Sequence, residues 1–201
     1  IAKPASLSFA EAACLPTAWL TAYRMLFTQG DLKAGDTVLV QGAGGGVATA
    51  LITLARAGGL RVLATSRDEA KRAKAIELGA HEVFESGARL PVKVDAVMET
   101  VGRATWSHSI RALRPGGKIV ISGTTSGPNL DDAELTRIFF LQLSVIGSTM
   151  GTRAELASLV TMLDATGARP LIDREIPMTE ARDGFAAMAE GDIFGKVVFT
   201  R

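Results

Sequence analysis

The chain has 201 residues, 22 basic against 21 acidic side chains and 47% hydrophobic content, which fits one or at most two folded domains with a real core and excludes disorder. A formal charge of +1 with no block of like charges supplies no field for nucleic acid or an anionic membrane, and the longest apolar stretch, Ile138 to Gly147, is far short of the roughly 20 residues that span a bilayer. The single cysteine, Cys14, allows neither an internal disulfide nor a multi-cysteine metal site, so a reducing, cytoplasmic setting is expected.

The chain opens on Ile1 without a signal-like segment and reads as starting inside a longer protein. Between Ser8 and Gln29, Phe9, Ala13, Trp19, Leu20, Tyr23, Leu26 and Phe27 recur at helical spacing, and Pro16 is expected to divide two pieces. After a turn region at Gly30 to Asp36, the β-rich run Thr37 to Gln41 leads into Gly42-Ala43-Gly44-Gly45-Gly46-Val47-Ala48 and a helix to about Ala57. Gly58-Gly59 ends that helix. Arg61 to Thr65 is the next strand and Asp68 to Leu78 the next helix, closed by Gly79.

The alternation continues with strands at His81 to Phe84 and Val94 to Met98, a helix at Arg103 to Leu113, a Pro115-Gly116-Gly117 turn and a strand at Gly117 to Ser122. Later come a helix at Asp131 to Phe139, a strand at Leu143 to Ser148, helices at Arg153 to Ala165 and Thr179 to Ala189, and strands at Leu171 to Ile176 and Lys196 to Thr200. Strands that are short and almost wholly apolar belong in a parallel sheet covered on both faces. The expected fold is therefore a three-layer, doubly wound α/β (Rossmann) domain with strand order 3-2-1-4-5-6, spanning residues 1–167 and followed by a tail, 168–201, too short to fold alone.

In such a fold the turn after the first strand lets the backbone approach a pyrophosphate while a helix N-terminus offers free N–H groups. Ala43, Gly45 and Gly46 fill that turn, with Ala48 where close helix–strand packing wants a small residue; the competing reading is a packing device only. A P-loop is excluded because no Lys-Ser/Thr pair follows the glycines. An NAD site expects a carboxylate about 20 residues on, against the ribose. Here Ser66 stands 21 residues beyond Gly45, followed by Arg67, with Lys71 and Arg72 one helical turn later. Read functionally, Ser66 and Arg67 grip a 2′-phosphate, which favours NADP(H); read blandly, they begin a solvated basic helix face.

His81 and His108, the two histidines, have no cysteine or acid at ligand spacing, Cys14 reads as a small buried group, and Tyr23 as packing against Phe27. No catalytic residue is identifiable.

Taken together, Leu20 to Tyr23, Gly30 to Asp36, Val38 to Ala48, Glu77 to Ala80, Val94 to Gly102, Leu113 to Gly123 and Gly195 to Val198 resemble the cofactor-binding part of the medium-chain dehydrogenase/reductase superfamily, in its quinone-oxidoreductase-like or zinc-dehydrogenase-like branch. The resemblance implies an NADP(H)-dependent oxidoreductase that moves hydride between nicotinamide and a quinone, enone or related carbonyl compound. The alternatives are zinc-free alcohol or enoyl-thioester turnover or, for this segment alone, a nucleotide-binding and dimerising module. It implies cofactor contacts at Ala43, Gly45, Gly46, Val47, Ser66, Arg67, Lys71, Ser86, Thr100, Gly102, Gly123 and Met150, with Ser86 standing where many relatives have tyrosine. It implies a GroES-like catalytic domain upstream, to which residues 168–201 return, and a homodimer formed through the edge of strand 143–148. In zinc-dependent relatives a cysteine occupies the position of Thr17, so no metal is expected here.

Overall fold

Val38, Leu39 and Val40 are all fully buried, although consecutive residues of a strand point to opposite faces, so the first strand must be covered on both sides. The computed structural model, which describes residues 1–201, shows how. Six parallel strands, β1 (Thr37–Val40), β2 (Arg61–Thr65), β3 (Glu82–Phe84), β4 (Val94–Glu99), β5 (Leu113–Ile121) and β6 (Ser144–Gly147), lie in the order β3-β2-β1-β4-β5-β6. This is the expected order.

On one face, Val38 and Val40 pack with Leu51 of α3 (Gly46–Ala57), Leu159 and Leu163 of α7 (Arg153–Thr166), and Trp19 from the N-terminal helical lead-in. On the other, Leu39, Leu63, Val97 and Ile119 meet Trp106 and Ile110 of α5 (Trp106–Ala112). The result is the three-layer sandwich expected from the alternation. Each fully buried leucine contributes about 1.5–3 kcal/mol relative to exposure. α4 (Glu69–Leu78) connects β2 to β3, and α6 (Leu135–Phe140) connects β5 to β6.

The lead-in runs through α1 (Phe9–Ala13), a wide π-helical turn at Leu15–Trp19, α2 (Leu20–Tyr23) and a second π-helical turn at Arg24–Gln29. The division expected at Pro16 is there: α1 ends at Ala13 with Cys14 as its C-cap, and Pro16 falls in the first turn of the π-helical stretch that follows, where the ring costs no established hydrogen bond. Phe9, at 84% exposure, lies outside the core despite its spacing. Tyr23 and Phe27 do pack, with tilted rings whose centroids are 5.2 Å apart. Arg24 ties this lead-in to α7, its Nη1 donating to both oxygens of Glu155 at 2.9 and 2.7 Å.

Two boundaries differ from expectation. Pro115-Gly116-Gly117 is not a turn: β5 begins at Leu113 and the extra residues form a bulge between the pairs Val94–Leu113 and Ala96–Lys118. The helix expected from Asp131 starts only at Leu135, because Glu134 adopts a left-handed backbone, φ +57°, which an α-helix does not propagate through. The tail makes its own two-stranded parallel sheet from β7 (Ile172–Pro177) and β8 (Lys196–Thr200), joined through α8 (Ala181–Glu190). No helix of the chain is long and apolar enough to cross a membrane.

Candidate functional site

β1 delivers the chain to the glycine turn at the carboxyl end of the sheet, beside the point where strand order reverses between β1 and β4. Gly42 and Gly44 have positive φ, +72° and +137°. A Cβ at Gly42 would come within 2.7 Å of Val101, so conformation demands glycine at both positions and space demands it at Gly42 as well. Gly45 is the N-cap of α3, with no side chain capping the helix and open space where its own Cβ would be. α1, α4 and α7 are instead capped by Ser8, Asp68 and Thr152. The first turn of α3 thus keeps its N–H groups and positive dipole end available to an anion.

The turn forms one wall of a cleft of about 1260 Å³. Of the residues singled out from the sequence, Ala43, Gly45, Ser66, Arg67, Lys71 and Ser86 line it. Ser66 is buried, and its hydroxyl accepts the Asp68 N–H at 3.2 Å. Arg67 is exposed at the rim and is not engaged in any of the chain's ion pairs. Lys71 has a partner already, donating to the Gly191 carbonyl at 2.6 Å. Four acids, Asp68, Glu69, Glu85 and Glu190, share the lining; Asp68 is occupied as the cap of α4.

Gly46 and Val47 open α3, and the bare Cα of Gly46 faces Lys196 and Ala18 of other elements. Thr100 and Gly102 are in the opposite wall, but it is their neighbours Val101, Thr105, Thr125 and Ser126 that line the cleft. Gly123 belongs to a separate recess of about 540 Å³ with Arg24, Ser122, Ser148 and Thr149. Met150 is exposed with φ +46° and lines neither concavity.

Beneath the cleft lies a buried polar network that the sequence reading missed. Glu99 is fully buried. One carboxylate oxygen accepts the N–H groups of Val101 and Gly102 at 2.7 and 3.0 Å, and the other accepts the hydroxyls of Thr105 and Ser109 at 2.8 and 2.6 Å. Gln41 extends the network by donating to Ser109 at 2.9 Å and accepting from Thr65. With all these bonds satisfied, the loop at residues 100–102 is held in one conformation.

The residues present fit a dinucleotide. The uncapped helix, the glycine cradle and the hydroxyl of Ser148, buried without a partner beside Gly123, are the unfilled valences such a ligand would complete. They do not fit a zinc ion. No three His, Cys, Asp or Glu side chains converge anywhere in residues 1–201, Thr17 offers a neutral hydroxyl in place of a thiolate, and burial pushes the Cys14 thiol up, away from the thiolate a metal requires. His81 is also accounted for structurally: its Nδ1 accepts the Val62 N–H at 2.9 Å.

A family model described as zinc-binding dehydrogenase matches residues 46–165, more than half of the chain. The chain belongs to this family. Within it, the chain falls in the quinone-oxidoreductase-like branch of the medium-chain dehydrogenase/reductase superfamily. Quinone oxidoreductase of Mus musculus is 30% identical over 94% of the chain and 61% of that protein. The crystal structure of an NAD-dependent alcohol dehydrogenase superposes with a TM-score of 0.91 at 32% identity, over 100% of the chain and 61% of the other. The 2-octenoyl-CoA carboxylase reductase CinF, solved with NADP and 2-octenoyl-CoA, gives 0.92 at 25% identity, over 99% and 51%. The chain spans about three-fifths of the length of the curated relatives it matches.

Proposed function

We propose that this chain is the cofactor-binding part of an NADP(H)-dependent oxidoreductase that moves hydride between nicotinamide and a quinone, enone or related carbonyl substrate. The observation that carries the reading is the unpaired Arg67 beside Ser66 at the end of β2, facing the uncapped start of α3 across one cleft. Ser66 stands in place of the acid that would select NAD, and the planar fork of Arg67 next to it suits a phosphate dianion. The backbone from Ala43 to Val47 takes the pyrophosphate, and the recess at Gly123 and Ser148 takes the nicotinamide end. When bound, the nicotinamide supplies the hydride. The loop pinned by Glu99 walls the cleft and holds the cofactor against the sheet. The CinF complex supports NADP(H), and its thioester ligand keeps enoyl-thioesters as a second substrate reading.

Titration tests the cofactor. NADPH is expected to bind more tightly than NADH, and Arg67→Ala to cost about 1.5–3 kcal/mol of NADPH binding with little effect on NADH. Equal affinity for the two in the unmodified chain overturns the reading.

Three further assignments belong to the same proposal. Residues 168–201 return to a GroES-like catalytic domain, a role suited to the exposed Met178, Phe185 and Met188. Turnover needs that domain, since hydride transfer requires an acceptor held about 3–3.5 Å away in a closed site and residues 1–201 wall only one side. Two copies pair through β6, the open end of the sheet, which has no lysine or proline to blunt it and whose Val145 is 45% exposed. Val145→Pro should then shift sedimentation toward monomer; a monomeric unmodified chain at micromolar concentration excludes the pairing.

A further inference from the structure

Every parallel connection of the main sheet carries a helix except one. Residues 85–93 take the chain from β3 past β2 and β1 to β4 as an irregular segment, where a crossover ordinarily runs a dozen residues or more and includes a helix. The missing helix leaves a groove of about 560 Å³ between this segment and α5. Its lining is distinct from that of the cofactor cleft, with no residue in common.

The charge of the groove is one-sided. Arg89, Lys93 and Arg111 line it, with the neutral ring of His108, and no carboxylate does. Arg89 is exposed and stands outside the chain's ion pairs. The Lys93 ammonium donates to the Arg111 carbonyl, while the Arg111 guanidinium is braced by Glu134 at 3.0 and 2.8 Å. The His108 ring is fixed through both nitrogens, Nε2 to the Ala88 carbonyl at 2.9 Å and Nδ1 to the Gln41 amide nitrogen at 2.8 Å. Leu90, Pro91, Val92 and Ala112 give the groove an apolar side. A preformed concavity of this size, apolar on one side with converging cations on the other, has the make-up of a small-ligand site.

We propose that this groove binds a phosphate monoester carried on a small apolar body, with Arg89 as its principal anchor and Lys93 as the second charge. A phosphate dianion matches the fork of Arg89, and the apolar body covers Leu90 and Val92. The assignment is independent of the dinucleotide reading.

Phenyl phosphate titrated into the ¹⁵N-labelled 201-residue chain tests it. Amide shifts should saturate over Gly87 to Lys93 and at Arg111. Arg89→Gln, an exposed change that leaves the core untouched, should raise the Kd about ten-fold or more, while Arg67→Gln, in the cofactor cleft, should leave it unchanged. Phenol should give no saturable shift. Shifts confined to Gly42–Val47 and Ser66, an Arg89→Gln protein that binds like the parent, or equal binding of phenol would each overturn the proposal, as would shifts that never saturate.

Discussion

α3 begins at the cofactor cleft and α7 shortly after Ser148 and Thr149 of the neighbouring recess, yet their first turns are finished in opposite ways. α7 opens with a capping box in which Thr152 accepts the Glu155 N–H at 3.1 Å and the Glu155 carboxylate accepts the Thr152 N–H at 2.6 Å. That carboxylate also receives Arg24 and the Thr28 hydroxyl, the latter at 2.7 Å. α3 opens on Gly45 with no side-chain cap. A helix start closed by four protein groups is a fastening; one left open at a cleft is a receptor. Chain chemistry separates the two functions before any ligand is considered.

The largest effect expected from breaking this contrast is on the closed end. Burial alone would raise the Glu155 carboxyl, but hydrogen bonds from Thr152, Thr28 and Arg24 outweigh it and bring it down from 4.5 to about 2. Because the folded value lies below the unfolded one, the stabilisation is complete above pH 4.5 and disappears as pH falls toward 2. Glu155→Ala should therefore cost about 3 kcal/mol in urea unfolding at pH 7, with the difference from the parent shrinking across that acidic window. A pH-independent difference would mean that packing rather than charge fastens α7.

Converting the open end into a closed one comes next. Gly45 has φ −74° and ψ 164° with empty space around it, so Gly45→Asp fits without strain. It should raise stability by a few tenths to about 1 kcal/mol through capping and the helix dipole. Dinucleotide affinity should nevertheless fall about ten-fold or more, since a carboxylate then occupies the anion position. Calorimetry of unfolding and of binding reads both signs; unchanged affinity would remove α3 from the site. The smallest expected effect is that of Thr28→Val, which deletes one of the bonds to Glu155 and should cost about 1 kcal/mol, measured by the same urea titration.

The sheet and its strand order were legible because short apolar strands and glycine-closed helices are local signals. Leu113 to Gly117 was not, since Pro-Gly-Gly reads as a turn while the backbone stays in the sheet through a bulge held by the Gly116 N–H bond to the Leu141 carbonyl at 2.8 Å. The start of α6 depends on one residue, Glu134, whose left-handed backbone no composition rule anticipates. At the site, Ala43, Gly45, Ser66 and Arg67 could be read because strand, turn and helix follow one another in sequence. Glu85, Glu190 and Gly191 reach the same cleft from remote segments, and Lys71, expected to be free for phosphate, is held by Gly191. Glu99 carried a partial signal, an acid ending an apolar strand three residues before a glycine, which marks a carboxylate placed to receive backbone N–H groups.

The Gly195 N–H donates to the Gly44 carbonyl at 2.8 Å, so the residue that leads into the last strand is bonded to the turn that follows the first. That contact closes a loop of most of the chain, and such long-range closures form late. During synthesis the βα units can assemble as they leave the ribosome, N-terminal part first. The glycine turn, though among the earliest parts made, reaches its final shape only after residue 195 has emerged. A nascent chain stalled before that residue should carry a nearly complete sheet and an unfinished mouth.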